Sequence, residues 1–152
     1  MLTALLLLQM SVFQGWVDDA ADRLGLPPQT IVEDPEMGSL AGTYGDGIIY
    51  VNPLLFAWNP NSKALRHLAY HEVCHVYLRH AEKAAAVRLK SRNLLGELQA
   101  THQAEADDCA MTYVLNYKRT TKFWKAWMDF TNKHPFDWGN RRRSPTRRVS
   151  GR

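Results

Sequence analysis

The segment HEVCHVYLRH, residues 71–80, constrains this chain more than any other stretch. His71, Glu72 and His75 stand in the spacing His-Glu-x-x-His. They lie within NPNSKALRHLAYHEVCHVYLRHAEKAAAVRLK, one long helical stretch with start signals at Asn59, Pro60 and Ser62. Residues four apart on a helix share a face, so the two imidazoles point the same way and can bind one Zn²⁺ at about 2.0–2.1 Å each. Glu72 lies one position along. There a carboxylate reaches a metal-acidified water as general base without taking a ligand position. With six His and six Glu in 152 residues, chance yields roughly 0.01 matches to the motif, so accident is a poor explanation. The competing reading is a helix whose histidines bond to carbonyls or water.

A catalytic zinc takes three protein ligands and leaves a fourth position open. His80 lies five residues after His75, and no glycine marks the turn between them, so the metzincin extension of the motif is excluded. The stretch THQAEADDCAMTYV belongs to a second helix, expected over Leu94 to Asn116. Projected at about 100° per residue, Glu105 falls at the centre of a stripe of Leu94, Leu98 and Cys109. A carboxylate on an apolar stripe needs a partner, and a metal supplies one. Glu105 is therefore the expected third ligand, with a salt bridge to Arg66 or Arg79 as the bland alternative. His102 and Asp108 fall at the stripe's edges, and Glu97 lies farther off. Asp108 is expected to orient a zinc-binding histidine, His102 to sit at the cleft edge, and Asp107 to face outward. His67 and His80 are read as bland, with support of a zinc ligand from behind as the alternative.

The rest of the chain points to one α+β domain over residues 1–138, followed by a basic tail over 139–152. The opening MLTALLLLQM has no basic leader, no small-residue cleavage site after it, and far fewer than the roughly 20 apolar residues of a membrane span. Leu2 to Leu24 is expected as one amphipathic helix with Leu5, Val12, Phe13, Trp16 and Ala20 facing the core, a membrane-surface helix being the alternative. A short strand is expected at Thr30 to Glu33. A hairpin should turn at Gly45-Asp46-Gly47, with its second strand at Ile48 to Val51. Further on, TTKFWKAWMDFTNK sets Phe123, Trp127 and Phe130 on one helical face, read as core. The net charge is +4, but GNRRRSPTRRVSGR holds six arginines and no acid, which leaves the first 138 residues at −2. Such a tail is expected to be solvated, with weak, salt-sensitive nucleic-acid contact as its possible use. The two cysteines, Cys74 and Cys109, form no disulfide framework, and two reduced thiols in a cytoplasmic setting are expected.

HEVCHVYLRH followed some thirty residues later by AEADDCA resembles the gluzincin metallopeptidases, in particular their minimal single-domain type. The resemblance runs from about Gly42 to Asn116. It implies a zincin-like α+β domain in which a short antiparallel or mixed sheet packs on an active-site helix carrying His71, Glu72 and His75. It further implies a glutamate ligand on the next helix, here Glu105, and a strand within Gly42 to Val51 that pairs with an extended peptide. Two departures stand out. Larger relatives space a glutamate and an aspartate four apart, whereas the residue four before Asp107 is Gln103. Membrane-associated relatives carry a late His-Pro followed by Arg; KHPFDWGNR offers His134, Pro135 and Arg141 at a slightly different spacing. His134 either steadies the oxyanion or opens an ordinary turn into the tail.

The expected activity is thus zinc-dependent hydrolysis of peptide bonds in a peptide or protein substrate, with Glu72 as base. The alternative is a nucleic-acid-associated binding protein with a structural or vestigial zinc site and an arginine-rich tail.

Overall fold

The computed structural model describes residues 2–57, 62–88 and 92–114. Helix α1 (Leu2–Arg23) is followed by strands β1 (Thr30–Glu33), β2 (Ala41–Thr43) and β3 (Ile48–Val51). Then come the short helix α2 (Leu54–Ala57), α3 (Ser62–Tyr77), α4 (His80–Arg88) and α5 (Arg92–Cys109), which runs into a π-helical turn at Ala110–Val114. The domain is α+β, as expected. The helical reading of 120–133, His134 and the basic tail lie outside the described residues.

The apolar spacing of α1 sets its buried face. Phe13, Val17, Ala20 and Ala21 are buried against the core and Trp16 packs at its edge, the spacing of one stripe on a 3.6-residue helix. Val12 was expected on this stripe, but it faces outward and is exposed, as are Leu7 and Leu8. A polar tie reinforces the packing of α1 on α3: the buried Tyr70 donates its hydroxyl to Asp19 at 2.5 Å and accepts from Arg66 at 2.7 Å. Gly25, at φ 66, ends the helix in the left-handed conformation that lets the Leu26 amide reach back to the Ala21 carbonyl.

The sheet has the order β1-β3-β2, with β1 parallel and β2 antiparallel to β3. Ile49 and Val51 of β3 point into the core while Ile48 and Tyr50 do not, the period-two pattern of a half-buried strand. The β2–β3 hairpin turns where the Gly-Asp-Gly signal lies. Gly45 and Gly47 take φ of 79° and 83°, and the Asp46 carboxylate accepts the Ile48 amide. β2 is left at a sheet edge, beside α3.

The long helix expected from Asn59 to Lys90 is broken. α3 ends at Tyr77, Arg79 adopts φ 57 and its amide bonds to the Val76 carbonyl, and α4 starts at His80. Left-handed backbone disfavours any residue with a Cβ; here an ion pair between Arg79 and Glu82 accompanies the turn. Its effect is local and large. Five residues along an unbroken helix, His80 would face away from His75; beyond the turn, its ring meets that of His75.

A second difference concerns the cysteines. Cys74 of α3 and Cys109 at the end of α5 are disulfide-bonded, with Cα atoms 6.0 Å apart. Both are buried at the α3–α5 contact. The expectation of two reduced thiols is thereby corrected, and the ground it offered for a reducing setting goes with it.

Candidate metal centre

His67, His71, Cys74 and His75 recur along α3 at the spacing of one helical stripe, and that stripe is turned to α5. α5 runs back along α3, so successive turns of one helix meet successive turns of the other. Asp107 meets His67 and His71, and Gln103, one turn earlier, meets His71 and lies by His75.

The imidazoles of His71 and His75 converge as the motif requires, with their Nε2 atoms 2.9 Å apart. The Gln103 amide oxygen lies 2.8 Å from His71 Nε2. On its other side, His71 Nδ1 donates to Asp107 Oδ1 at 2.8 Å, and His67 Nε2 reaches the same oxygen at 2.9 Å. Sharing one carboxylate oxygen between two ring nitrogens is the mark of an orienting acceptor. With its Nδ1 proton given to Asp107, His71 presents Nε2 as the nitrogen that binds a proton or a metal. Ring nitrogens that share a tetrahedral zinc stand about 3.3 Å apart, close to the separation found.

Burial and neighbouring charge set the electrostatics. Glu72 is buried, and burial pushes its pKa up to about 7. Burial would raise Asp107 as well, but the hydrogen bonds from His67 and His71 outweigh it and hold the carboxyl well below its usual range. For His71, burial favours the neutral ring, yet the bond to Asp107 wins and its pKa lies above the ordinary value. Burial carries His67 below that value, and takes His75 well below it with help from its histidine neighbours. His80 is lowered to about 4, first by burial and then by His102.

Glu105 does not occupy the place expected of it. Its Oε2 accepts from His80 Nε2 at 2.9 Å, its side chain is 48% exposed, and the α5 oxygen that approaches the histidine pair belongs to Gln103. Asp107 and Asp108 are likewise exchanged: Asp107 faces inward and holds His71, whereas Asp108 is exposed, as is Glu97. The cause is helix phase. Gln103 and Asp107, which meet α3, each lie about 160° around the helix from Glu105, which turns instead to His80. Leu94, taken as a core marker, is 54% exposed. His102 is buried rather than at a cleft edge, its ring stacked on His80 at 4.0 Å and 3°. His67 and His80 both carry part of the network. Gln103 and Asp107 stand four apart, the spacing of the glutamate–aspartate pair in the larger gluzincins, and that was the available signal for both.

Two groups of side chains could hold an ion by proximity among the described residues: His67, His71 and Asp107, and His80, His102 and Glu105. The first is accounted for by the shared Asp107 oxygen. In the second, His80 and His102 lie in parallel planes, and one ion cannot lie in both ring planes, as in-plane lone pairs require. The donors that converge are therefore His71 Nε2, His75 Nε2 and Gln103 Oε1: two imidazoles, a donor type zinc takes, from one face of α3 and an amide oxygen from α5. No helix among the described residues is long and apolar enough to cross a membrane. Comparisons with protein-family models, curated proteins and solved structures gave no match to this chain.

Proposed function

We propose that this chain is a small zinc-dependent peptidase whose metal is held by His71, His75 and Gln103. The observation carrying this reading is the convergence of His71 Nε2, His75 Nε2 and Gln103 Oε1 within 2.8 and 2.9 Å contacts, one residue along α3 from a buried carboxylate. A zinc held by His71, His75 and Gln103 would supply Lewis acidity toward a water and a carbonyl.

The chain's own residues supply the rest. Glu72, a buried carboxylate beside the paired imidazoles, is placed to take a proton from water and return it to a leaving amine. Asp107 fixes the ring of His71 through its Nδ1 proton. Among the described residues β2 has one unpaired edge and lies beside α3, which suits an extended peptide added as a further strand. The oxyanion partner considered from sequence, His134, lies outside the described residues.

Metal content and activity test this together. Protein purified without chelator is expected to hold near one zinc per chain, with sharp loss in His71→Ala, His75→Ala and Gln103→Ala. Glu72→Gln is expected to keep the metal and lose peptide cleavage. Full zinc in the His71 and His75 variants overturns the site. Zinc with no cleavage of a broad peptide library, in wild type and Glu72→Gln alike, favours the binding-protein alternative with its arginine tail.

A further inference from the structure

Glu105 and His80 fall outside the site just described, yet they make an unbroken polar chain to it. The Glu105 carboxylate meets His80 Nε2 at 2.9 Å, and His80 Nδ1 meets His75 Nδ1 at 2.7 Å. His75 Nε2 then faces His71. A carboxylate only accepts, so His80 Nε2 is the donor there. Neutral His80 is left with an acceptor at Nδ1, which accepts a hydrogen bond from the His75 Nδ1–H. His75 in turn is left with an unprotonated Nε2. Each bond dictates the next.

We propose that Glu105 and His80 form a relay that fixes the tautomer of His75, so that its Nε2 lone pair is preset toward the metal position. The proposal rests on the zinc reading above and deepens it: Glu105 is a positioning residue acting through His80. Three features of the structure argue for it. First, the helix break at Arg79 turns His80 back onto His75, a geometry an unbroken helix could not produce. Second, His102 stacks flat on His80 at 4.0 Å, which holds the plane of the middle ring. Third, the arrangement parallels that on His71, where Asp107 takes the Nδ1 proton directly. Both histidines of the motif are then held on the nitrogen opposite the metal. Orienting partners of this kind are worth 10–100-fold in metal affinity.

The test uses the full chain, with zinc alone as probe and two readouts. In zinc-free protein, ¹⁵N imidazole NMR reports which His75 nitrogen carries the proton. Competition with a chromophoric chelator at fixed pH reports zinc affinity and stoichiometry. Wild type is expected to show protonated Nδ1 and bare Nε2 on His75. Glu105→Ala, at a half-exposed site, and His80→Phe, which keeps a ring against His102, should move population to the Nε2-protonated form. They should also weaken zinc about 10–100-fold while stoichiometry stays near one. Glu105→Gln, whose amide oxygen can still accept from His80, should restore most of both. Unchanged tautomer and affinity in Glu105→Ala and His80→Phe overturn the relay. So does complete loss of the zinc equivalent in Glu105→Ala with the His75 tautomer unmoved, which would make Glu105 a ligand. Failure of the zinc reading itself looks different: wild type takes up no zinc, and the tautomer readout still decides the relay.

Discussion

The two histidines of the motif sit one helical turn apart and are supported in opposite ways. His71 is backed directly by Asp107, which also binds His67, close to where the Cys74–Cys109 disulfide ties α3 to α5. His75 is backed by another imidazole, whose own partner is a carboxylate 48% open to solvent. One side of the centre is clamped and buried, and the other is strung through a neutral ring to the surface. A carboxylate in direct contact raises the pKa of His71, whereas His75, without one, stays well below the ordinary value. The histidine pair thus joins a ring that holds a proton to one that sheds it, and a metal ligand must be free of its proton at the binding nitrogen.

The comparison can be broken most severely between the two sides, at Glu72. Glu72→Gln is expected to lower peptide hydrolysis about 10²–10⁴-fold with the fold retained. A second effect follows from its raised pKa. The folded value of about 7 lies above the ordinary 4.5, so the wild-type zinc-free chain loses stability as pH rises from about 4.5 to 7. The loss is on the order of 3 kcal/mol. Glu72→Gln should remove that slope, and urea titrations at pH 5 and pH 8 would measure it.

On the clamped side, reducing the disulfide or making Cys74→Ala should cost about 3–4 kcal/mol, from the freedom returned to a loop of this length. Guanidinium unfolding with and without reductant checks this. Asp107→Asn should destabilise by about 1–3 kcal/mol by unseating two buried imidazoles. It should also flatten the acid limb. Asp107 is depressed below its ordinary value, so the stability it contributes is present above about pH 4 and lost progressively as pH falls below that. A comparable acid limb in Asp107→Asn and wild type would contradict the assignment. The smallest stability effect belongs to the open side. Glu105→Ala should change unfolding free energy by less than about 1 kcal/mol, even though its zinc affinity falls.

What was legible in the sequence follows the same physical lines. Signals confined to neighbouring residues were readable: Gly45-Asp46-Gly47 marks the hairpin, alternation marks β3, and the His71/His75 spacing marks their shared face. Signals that depend on which side of a helix is covered were not. Leu94 and Leu98 suggested one phase for α5. The packing keeps Cys109 of that stripe buried but adds Ala106 and Ala110, and it is Gln103 and Asp107 that meet α3. Leu94 is exposed while the smaller Ala106 and Ala110 are buried, an order that a scale of apolarity alone reverses. The helix break at Arg79 was hidden for a related reason. No glycine or proline announces it, and arginine is not a residue that marks a φ of 57 in sequence. The disulfide was unreadable because two cysteines thirty-five positions apart reveal nothing of their distance in space.

The turn at Arg79 also limits how the sequence can change by insertion and deletion. Along most of a surface helix, a residue gained or lost near the end is absorbed by fraying. Here one extra residue in the helical stretch just after His75 would rotate everything beyond it by about 100° and advance it about 1.5 Å, carrying the His80 ring away from His75. The five-residue interval is therefore a ruler. A descendant chain could exchange Arg79 for glycine or asparagine, residues at ease in left-handed backbone, far more readily than it could change the length of that interval. A search for such chains gains more by holding the interval His75-x-x-x-x-His80 together with Gln103-x-Glu105-x-Asp107 than by weighting the identity of any residue between them.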